Sequence, residues 1–162
     1  RKHYRQTPTL HQYYKRWSRY FVLGNAPTIA VDFDNTLALT DNFPNILGVN
    51  GECFNILKSW QNLGCKIILH TSRHDKDLDN AVVWCLNCGL FFDGINECVM
   101  PDGTKINNGS KTYATFYIDD KSVGIPLKRH KYDNNIRDCV DWIEIDKIYT
   151  PVIKEIIKKV NE

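Results

Sequence analysis

Residues 28–39 read TIAVDFDNTLAL, and the rest of the chain is organised around this stretch. The apolar run at 29–31 predicts a buried parallel strand, because such strands have no polar face. Asp32 and Asp34 follow it directly, at the strand end where an open α/β sheet binds its ligands. Two carboxylates in one crevice repel each other, so the stretch predicts a site that needs a cation, a proton or a reaction that uses them.

Strand and helix patterns alternate along the remainder of the chain. Helices are expected at 53–63 and 75–89, and strands at 66–70, 91–99 and 115–118. Residues 123–135 look irregular, a last strand is expected near 140–145, and Thr150 and Pro151 are the expected cap and first residue of a C-terminal helix. This alternation predicts an α/β protein with a central parallel sheet covered by helices.

The N-terminal segment differs in composition from the body. Six of the 21 Lys and Arg residues and no acidic residue lie in residues 1–20, which leaves 15 basic against 19 acidic residues in the remainder. Large aromatic side chains recur there at helical spacing. We therefore predict a basic aromatic arm and helix over residues 1–24 and a catalytic domain over 25–162. The arm's helix either packs its aromatic stripe on the body or offers a surface to nucleic acid or a partner protein.

Neither a membrane span nor a secretory signal is visible in the sequence. No run reaches the roughly 18 apolar residues that a transmembrane helix needs, and no signal-peptide pattern is present. The six cysteines lie mostly in apolar segments, which favours reduced thiols over a disulfide scaffold. These features predict a cytoplasmic, intracellular protein with no membrane partner.

Reactive side chains follow three of the predicted strands. Asp32 and Asp34 follow the first strand, Thr71 the second, and Asp119 and Asp120 the fourth. The carboxyl ends of adjacent parallel strands open on one crevice, so these side chains are expected to converge. A lysine, Lys111, precedes the last pair by a few residues. Four carboxylates with a hydroxyl and a lysine predict a Mg²⁺ site, because Mg²⁺ takes oxygen ligands and bridges to phosphate.

These motifs resemble those of the haloacid dehalogenase (HAD) phosphatase superfamily. Asp-Phe-Asp-Asn-Thr-Leu at 32–37 is similar to its first motif, with Asn35 in place of the commoner Gly. Thr-Ser-Arg at 71–73 and Tyr-Ile-Asp-Asp at 117–120 resemble those of small capless HAD hydrolases of bacteria and phages. The resemblance implies a three-layer α/β/α, Rossmann-like fold. The segments 37–50 and 96–109, where cap domains enter in this superfamily, are short loops and predict no cap domain.

The resemblance also implies a role for each matching residue. Asp32 would be the nucleophile that forms an aspartyl-phosphate. Asp34 would protonate the leaving group and then activate water, with its backbone carbonyl on Mg²⁺. Thr71 would hold the phosphoryl oxygens, and Lys111 would stabilise the charge on them. The implied metal ligands are Asp32, Asp34, Asp119 and Asp120, and the implied substrate contacts are Thr71, Ser72, Arg73 and Lys111. A surface arginine is the alternative for Arg73.

The resemblance predicts a Mg²⁺-dependent phosphomonoester hydrolase. Its open site would admit a phosphorylated small molecule or a nucleic-acid end. An oligomer partner or the N-terminal helix could cover such a site, and the N-terminal segment could bind nucleic acid. The alternative from a different class is a non-catalytic binding or scaffold protein on the same fold, which would work through the basic aromatic segment.

Overall fold

A computed structural model describes residues 26–99, 103–106, 112–132 and 135–162. The predicted N-terminal arm, Lys111 and most of the turn-rich segment 100–109 lie outside these residues. The described strands are β1 Thr28–Val31, β2 Ala38–Thr40, β3 Ile46–Val49, β4 Lys66–Leu69, β5 Gly94–Ile95, β6 Cys98–Val99, β7 Lys105–Ile106, β8 Phe116–Ile118, β9 Leu127–Tyr132 and β10 Asn135–Val140. The helices are α1 Cys53–Asn62, α2 Asp75–Asn87 and α3 Trp142–Val160.

A four-stranded parallel sheet forms the centre of the molecule, with the strand order β5-β4-β1-β8. Successive residues of β1, Ile29, Ala30 and Val31, are all buried, and so are residues 67–69 of β4. Because neighbouring side chains on a strand point to opposite faces, both faces of the sheet must be covered. The predicted α/β class with a central parallel sheet is therefore confirmed.

The first two helices lie where the sequence predicts them, whereas the C-terminal region differs. Helix α3 begins at Trp142, in place of the expected strand near 140–145 and eight residues before Thr150. Asp141 caps it, accepting hydrogen bonds from the backbone N–H groups of Ile143 at 3.1 Å and Glu144 at 3.3 Å. Pro151 lies inside the helix, where its missing N–H costs one helical hydrogen bond.

In the described residues, three antiparallel strand pairs occupy segments predicted wholly or partly as loop or irregular, and the shortest is β6 with β7 in the predicted loop 96–109. Strands β2 and β3 pair over residues 38–49. Strands β9 and β10 pair over residues 127–140, with His130 opposite Arg137. Among the described strands, β9 and β10 pair only with each other. Charged residues make up much of the β9–β10 hairpin, so its sequence lacks the apolar alternation that identifies a half-buried strand.

Helix α3 is attached to the loop after β1 through Trp142. The indole Nε1–H of Trp142 donates to the Thr36 carbonyl at 2.7 Å, and Asn50 Nδ2 donates to the same oxygen at 2.9 Å. The Trp142 ring also packs against Trp60, with ring centroids 6.3 Å apart. A buried carbonyl needs such donors, so the first turn of α3 helps to hold the loop that carries the acidic residues.

We expect Trp142→Phe to lower the free energy of unfolding by about 1–3 kcal/mol, because it removes a buried hydrogen bond and part of a packed ring. Urea denaturation followed by far-UV circular dichroism measures the change. The control is Ile143→Val, an exposed position on the same helix turn. Equal stabilities for Trp142→Phe and the parent would contradict this role.

Candidate active site

The carboxyl ends of β1, β4 and β8 open into one cleft of about 480 Å³. The cleft is lined by Asp32, Asp34, Asn35, His70, Thr71, Ser72, Asp119, Asp120 and Lys121. The structure therefore brings together six of the residues that the sequence singles out: Asp32, Asp34, Thr71, Ser72, Asp119 and Asp120. Arg73 is not among the lining residues.

Three carboxylates form the acidic centre of the cleft. One oxygen each from Asp32, Asp119 and Asp120 lies within 4.8 Å of the others. Burial raises the pKa of Asp32 to about 7, and the negative charges of Asp119, Asp120 and Asp34 push it in the same direction. Burial also raises the pKa of Asp120. In the absence of a cation, this arrangement favours a proton on the cluster at neutral pH.

Lys121 lies beside the three carboxylates. Its Nζ is 2.6 Å from Asp120 Oδ2, and its side chain is 83% exposed. The hydrogen bond to Asp120 raises the pKa of Lys121. Within the described part of the chain, this one exposed ammonium leaves the three carboxylates only partly neutralised. The donor set is all oxygen and its members are close together, so these residues fit a hard divalent cation such as Mg²⁺.

Thr36 connects the two strand ends that carry the three carboxylates. Its buried hydroxyl accepts a hydrogen bond from the backbone N–H of Asp120 at 3.1 Å and donates to Asp32 Oδ2 at 3.4 Å. The backbone N–H of Asp32 donates to the Ile118 carbonyl at 2.9 Å. These contacts hold the carboxylates close together although their charges repel.

Asn35 shapes the turn between Asp34 and Thr36. Its φ is +54°, in the left-handed region that glycine adopts most easily. Asn is among the few other residues that adopt this conformation at low cost. Asn at this position, where the first motif of the HAD superfamily more often has Gly, is therefore compatible with the backbone of this loop.

Arg73 is buried and directed at Asp34. Its Nε donates to Asp34 Oδ2 at 2.9 Å and its Nη2 to Asp34 Oδ1 at 2.7 Å, and Nη2 also donates to the Pro44 carbonyl at 3.1 Å. The guanidinium lies 4.6 Å from the Phe33 ring centroid and 5.0 Å from that of Phe43. The alternative of a surface arginine is wrong, since the side chain is 1% exposed.

These contacts bear on two roles that the resemblance implies. The guanidinium of Arg73 points at Asp34 and not into the cleft, so the structure supports a positioning role in place of the expected substrate contact. Both side-chain oxygens of Asp34 accept hydrogen bonds from Arg73. The Asp34 side chain accordingly lies outside the cluster of three carboxylates, and its backbone carbonyl remains the implied ligand atom.

Thr71 lies in a constrained loop after β4. Its backbone N–H donates to Asn96 Oδ1 at 2.9 Å, and its hydroxyl accepts from the Arg73 N–H at 3.2 Å. Because the hydroxyl oxygen serves as the acceptor in this bond, its own proton can be donated to a phosphoryl oxygen. Ser72, next to it, is exposed in the cleft.

Three residues to which the sequence analysis assigns no role contribute to the site. Lys121 follows the Asp119–Asp120 pair directly, and Thr36 lies four residues after Asp32 inside the first motif, so adjacency to acidic residues could have indicated both. His70 lines the cleft and lies edge-on to Tyr117, with ring centroids 6.2 Å apart. The sequence signal for His70 is its position at the end of the second predicted strand, directly before Thr71.

The fold and the site together define an α/β protein with a carboxylate-lined cleft at the carboxyl edge of its parallel sheet. No family model matches the chain, and no curated protein matches it. It is similar to a solved structure described as a conserved protein coded by a locus of Bacteroides thetaiotaomicron. The two are 31% identical with a TM-score of 0.60, over 78% of this chain and 92% of that chain.

At this identity and coverage, the chain belongs to the same family as the Bacteroides protein. The likeness covers more than the central sheet, because it extends over most of both chains. Among the described residues, no helix is both long enough and apolar enough to cross a membrane.

The raised pKa of Asp32 predicts how stability depends on pH without metal. Between its ordinary value of 3.8 and about 7, the folded protein holds a proton that the unfolded chain releases. This group's contribution to the free energy of unfolding is therefore lost as the pH rises through about 7. We expect the melting temperature in chelator to fall more for the parent than for Asp32→Asn between about pH 5 and about pH 8.

Scanning calorimetry of both proteins measures this difference. Mg²⁺ at the higher pH should raise the parent's melting temperature and have less effect on Asp32→Asn, because it binds the folded carboxylate cluster. Asp79→Asn, at an exposed position on α2, is the control and should behave as the parent does. Parallel pH profiles for the parent and Asp32→Asn would contradict the prediction.

Proposed function

We propose that this protein is a Mg²⁺-dependent phosphomonoester hydrolase of the HAD type with a three-layer α/β/α fold. The single observation that carries the proposal is the cluster of Asp32, Asp119 and Asp120, with carboxylate oxygens within 4.8 Å of one another beside Asp34 in an open cleft. Such a cluster destabilises the metal-free protein at neutral pH, whereas a divalent cation with a phosphate group would stabilise it.

The proposed reaction begins with Asp32. One of its carboxylate oxygens attacks the phosphorus atom, the bond to the leaving-group oxygen breaks, and Asp34 gives that oxygen a proton. The product is an aspartyl-phosphate on Asp32. Asp34 then takes a proton from a water molecule, whose oxygen attacks the phosphorus. The bond between the phosphorus and the Asp32 oxygen breaks, which releases inorganic phosphate and the free Asp32 carboxylate. Both aspartates return to their starting forms.

Asp34 can carry this proton while Arg73 holds it. A carboxylate has about four lone-pair sites on its two oxygens, and Arg73 uses one on each oxygen. The remaining sites are available to a proton, and Asp34 lines the cleft. Arg73 therefore fixes the direction of the carboxyl group without blocking it.

The other cleft residues would bind the phosphoryl group and the cation. The Thr71 hydroxyl would donate to a phosphoryl oxygen. Asp32, Asp119, Asp120 and the Asp34 carbonyl would hold Mg²⁺, which would neutralise negative charge on the carboxylates and the phosphoryl group. Lys111, by the resemblance, would add a positive charge on the substrate side.

We expect Asp32→Asn to abolish phosphate release from p-nitrophenyl phosphate with the fold intact, because the amide is not a nucleophile. Asp119→Ala and Asp120→Ala should each raise the Mg²⁺ concentration needed for half-maximal rate. Chelator should stop turnover, and Ca²⁺ should not restore it, since Ca²⁺ prefers longer bonds and more ligands.

Phosphate release and circular dichroism of each variant test this prediction, with Asp79→Asn as the matched control. Asp32→Asn turnover within about tenfold of the parent would refute the covalent mechanism, since loss of a nucleophile costs far more. A parent that releases no phosphate from any ester in Mg²⁺ would favour the non-catalytic scaffold alternative.

We expect Arg73→Lys to lower kcat by about 100-fold, because lysine keeps the charge but cannot hold both oxygens of Asp34 in a planar fork. KM for p-nitrophenyl phosphate should change much less, since Arg73 does not line the cleft. The matched control is Arg129→Lys, whose Arg–Asp pair is exposed. A change confined to KM would instead indicate a substrate contact.

A further inference from the structure

The β9–β10 hairpin concentrates positive charge on an otherwise acidic body. Its two strands contain one acidic residue, Asp138, and four Lys or Arg residues: Lys128, Arg129, Lys131 and Arg137. Six more of the 21 basic residues lie in residues 1–20, which leaves 11 against 18 of the 19 acidic residues elsewhere. A local excess of this kind attracts anionic ligands and partners.

The hairpin lies at the rim of the cleft. Six residues separate Asp120 from Leu127, the first residue of the hairpin. At its other end, the backbone N–H of Val140 donates to the Asn35 carbonyl at 2.9 Å, and Asn50 Nδ2 donates to the Val140 carbonyl at 2.9 Å. Asn35 lines the cleft and also a narrow neighbouring groove, here called the hairpin groove. The groove's other residues are Leu39, Thr40, Asp41, Leu47, His130, Arg137 and Cys139.

The strand register determines which cations share the hairpin face that contributes His130 and Arg137 to the groove. Directly opposed residues share a face of an antiparallel pair, so His130 and Arg137 share one face. Lys128, two residues from His130, lies on the same face. Arg129 and Asp138 are opposed on the other face and form an exposed ion pair at 3.4 Å.

The described residues begin at the end of the parallel strands that lies opposite the cleft. The backbone N–H of Lys66, which starts β4, donates to the Pro27 carbonyl at 3.1 Å, and that of Thr115 donates to the Thr28 carbonyl at 2.7 Å. Both contacts are at the amino ends of the parallel strands. Within the described residues, the hairpin is thus the basic element next to the cleft.

We propose that the hairpin groove face binds the phosphodiester backbone of a nucleic-acid strand whose phosphorylated end enters the cleft. This inference rests on the proposed function. A nucleic-acid end has both required groups in one molecule, a terminal phosphomonoester and phosphodiesters next to it. Lys and Arg contacts to backbone phosphates supply affinity without reading sequence. A small phosphate monoester has no phosphodiester that the hairpin cations could bind.

The test compares two double variants with the same loss of charge. Lys128→Gln with Arg137→Gln removes the two Lys and Arg charges of the groove face. Lys158→Gln with Lys159→Gln removes two charges near the end of α3. Trp142 is the first residue of this helix and follows the hairpin closely, and at 1.5 Å per residue Lys158 lies about 24 Å along the helix from it. That separation exceeds the Debye length of about 10 Å at 0.1 M salt. The substrates are a phosphorylated single-stranded oligonucleotide and p-nitrophenyl phosphate.

We expect the groove variant to raise KM for the oligonucleotide by about tenfold. The slope of log affinity against log salt concentration should fall by about one for each cation removed, because each cation accounts for about one phosphate contact. Its kcat/KM for p-nitrophenyl phosphate should stay within about twofold of the parent, because that ester is too short to contact the hairpin. The α3 variant should match the parent on both substrates.

Fluorescence anisotropy with the oligonucleotide, in an Asp32→Asn background, measures binding without turnover. Equal affinity with and without the groove cations would overturn the hairpin assignment. Groove-dependent hydrolysis of an acidic phosphopeptide in preference to the oligonucleotide would overturn the nucleic-acid assignment. A parent that binds oligonucleotide through the groove face but hydrolyses neither substrate would refute the proposed hydrolase and support the hairpin surface.

Discussion

The hydrogen bonds of Thr36 hold together the two strand ends on which the cleft depends. Its hydroxyl contacts Asp32 and the backbone of Asp120, and its carbonyl accepts hydrogen bonds from Asn50 and Trp142. The carboxylates at these strand ends repel each other, so something must restrain the loops that carry them. Buried Thr36 restrains these loops because its hydroxyl and its carbonyl are both hydrogen-bonded. It also links the acidic cluster to the packing of α3.

Asp34 and the cluster of three carboxylates pair with different cationic side chains. Asp34 is held by buried Arg73, whose planar fork fixes its direction. Among the described residues, the cluster of Asp32, Asp119 and Asp120 is paired with exposed Lys121, which leaves most of the cluster's charge unbalanced. A fixed carboxyl group suits proton transfer, whereas an unbalanced cluster suits a cation. Burial raises the pKa of Asp32, and the neighbouring negative charges of the cluster raise it further.

The regular apolar segments of the fold were predictable from the sequence, and the charged ones were not. Strand β1 and helices α1 and α2 follow apolar patterns that tertiary contacts reinforce. The error at 140–145 arose because the short stretch VDWIEI, with four apolar and two acidic residues, fits a strand as well as a helix. Asp141 caps the segment as a helix, and Pro151 does not end it. The β9–β10 hairpin depends on backbone pairing between charged strands, which residue patterns do not reveal.

The sequence by itself determined that the acidic and hydroxyl side chains at three strand ends meet in the cleft. Parallel strands end at one edge, so Asp32, Thr71 and Asp119 had to converge once the strands were recognised. Only the tertiary structure decided the orientation of each side chain. Arg73 is next to Ser72 in sequence, yet it is buried against Asp34 and two rings from the first loop. Such partners lie far apart along the chain, and they are chosen by packing and by the need to pair buried charges.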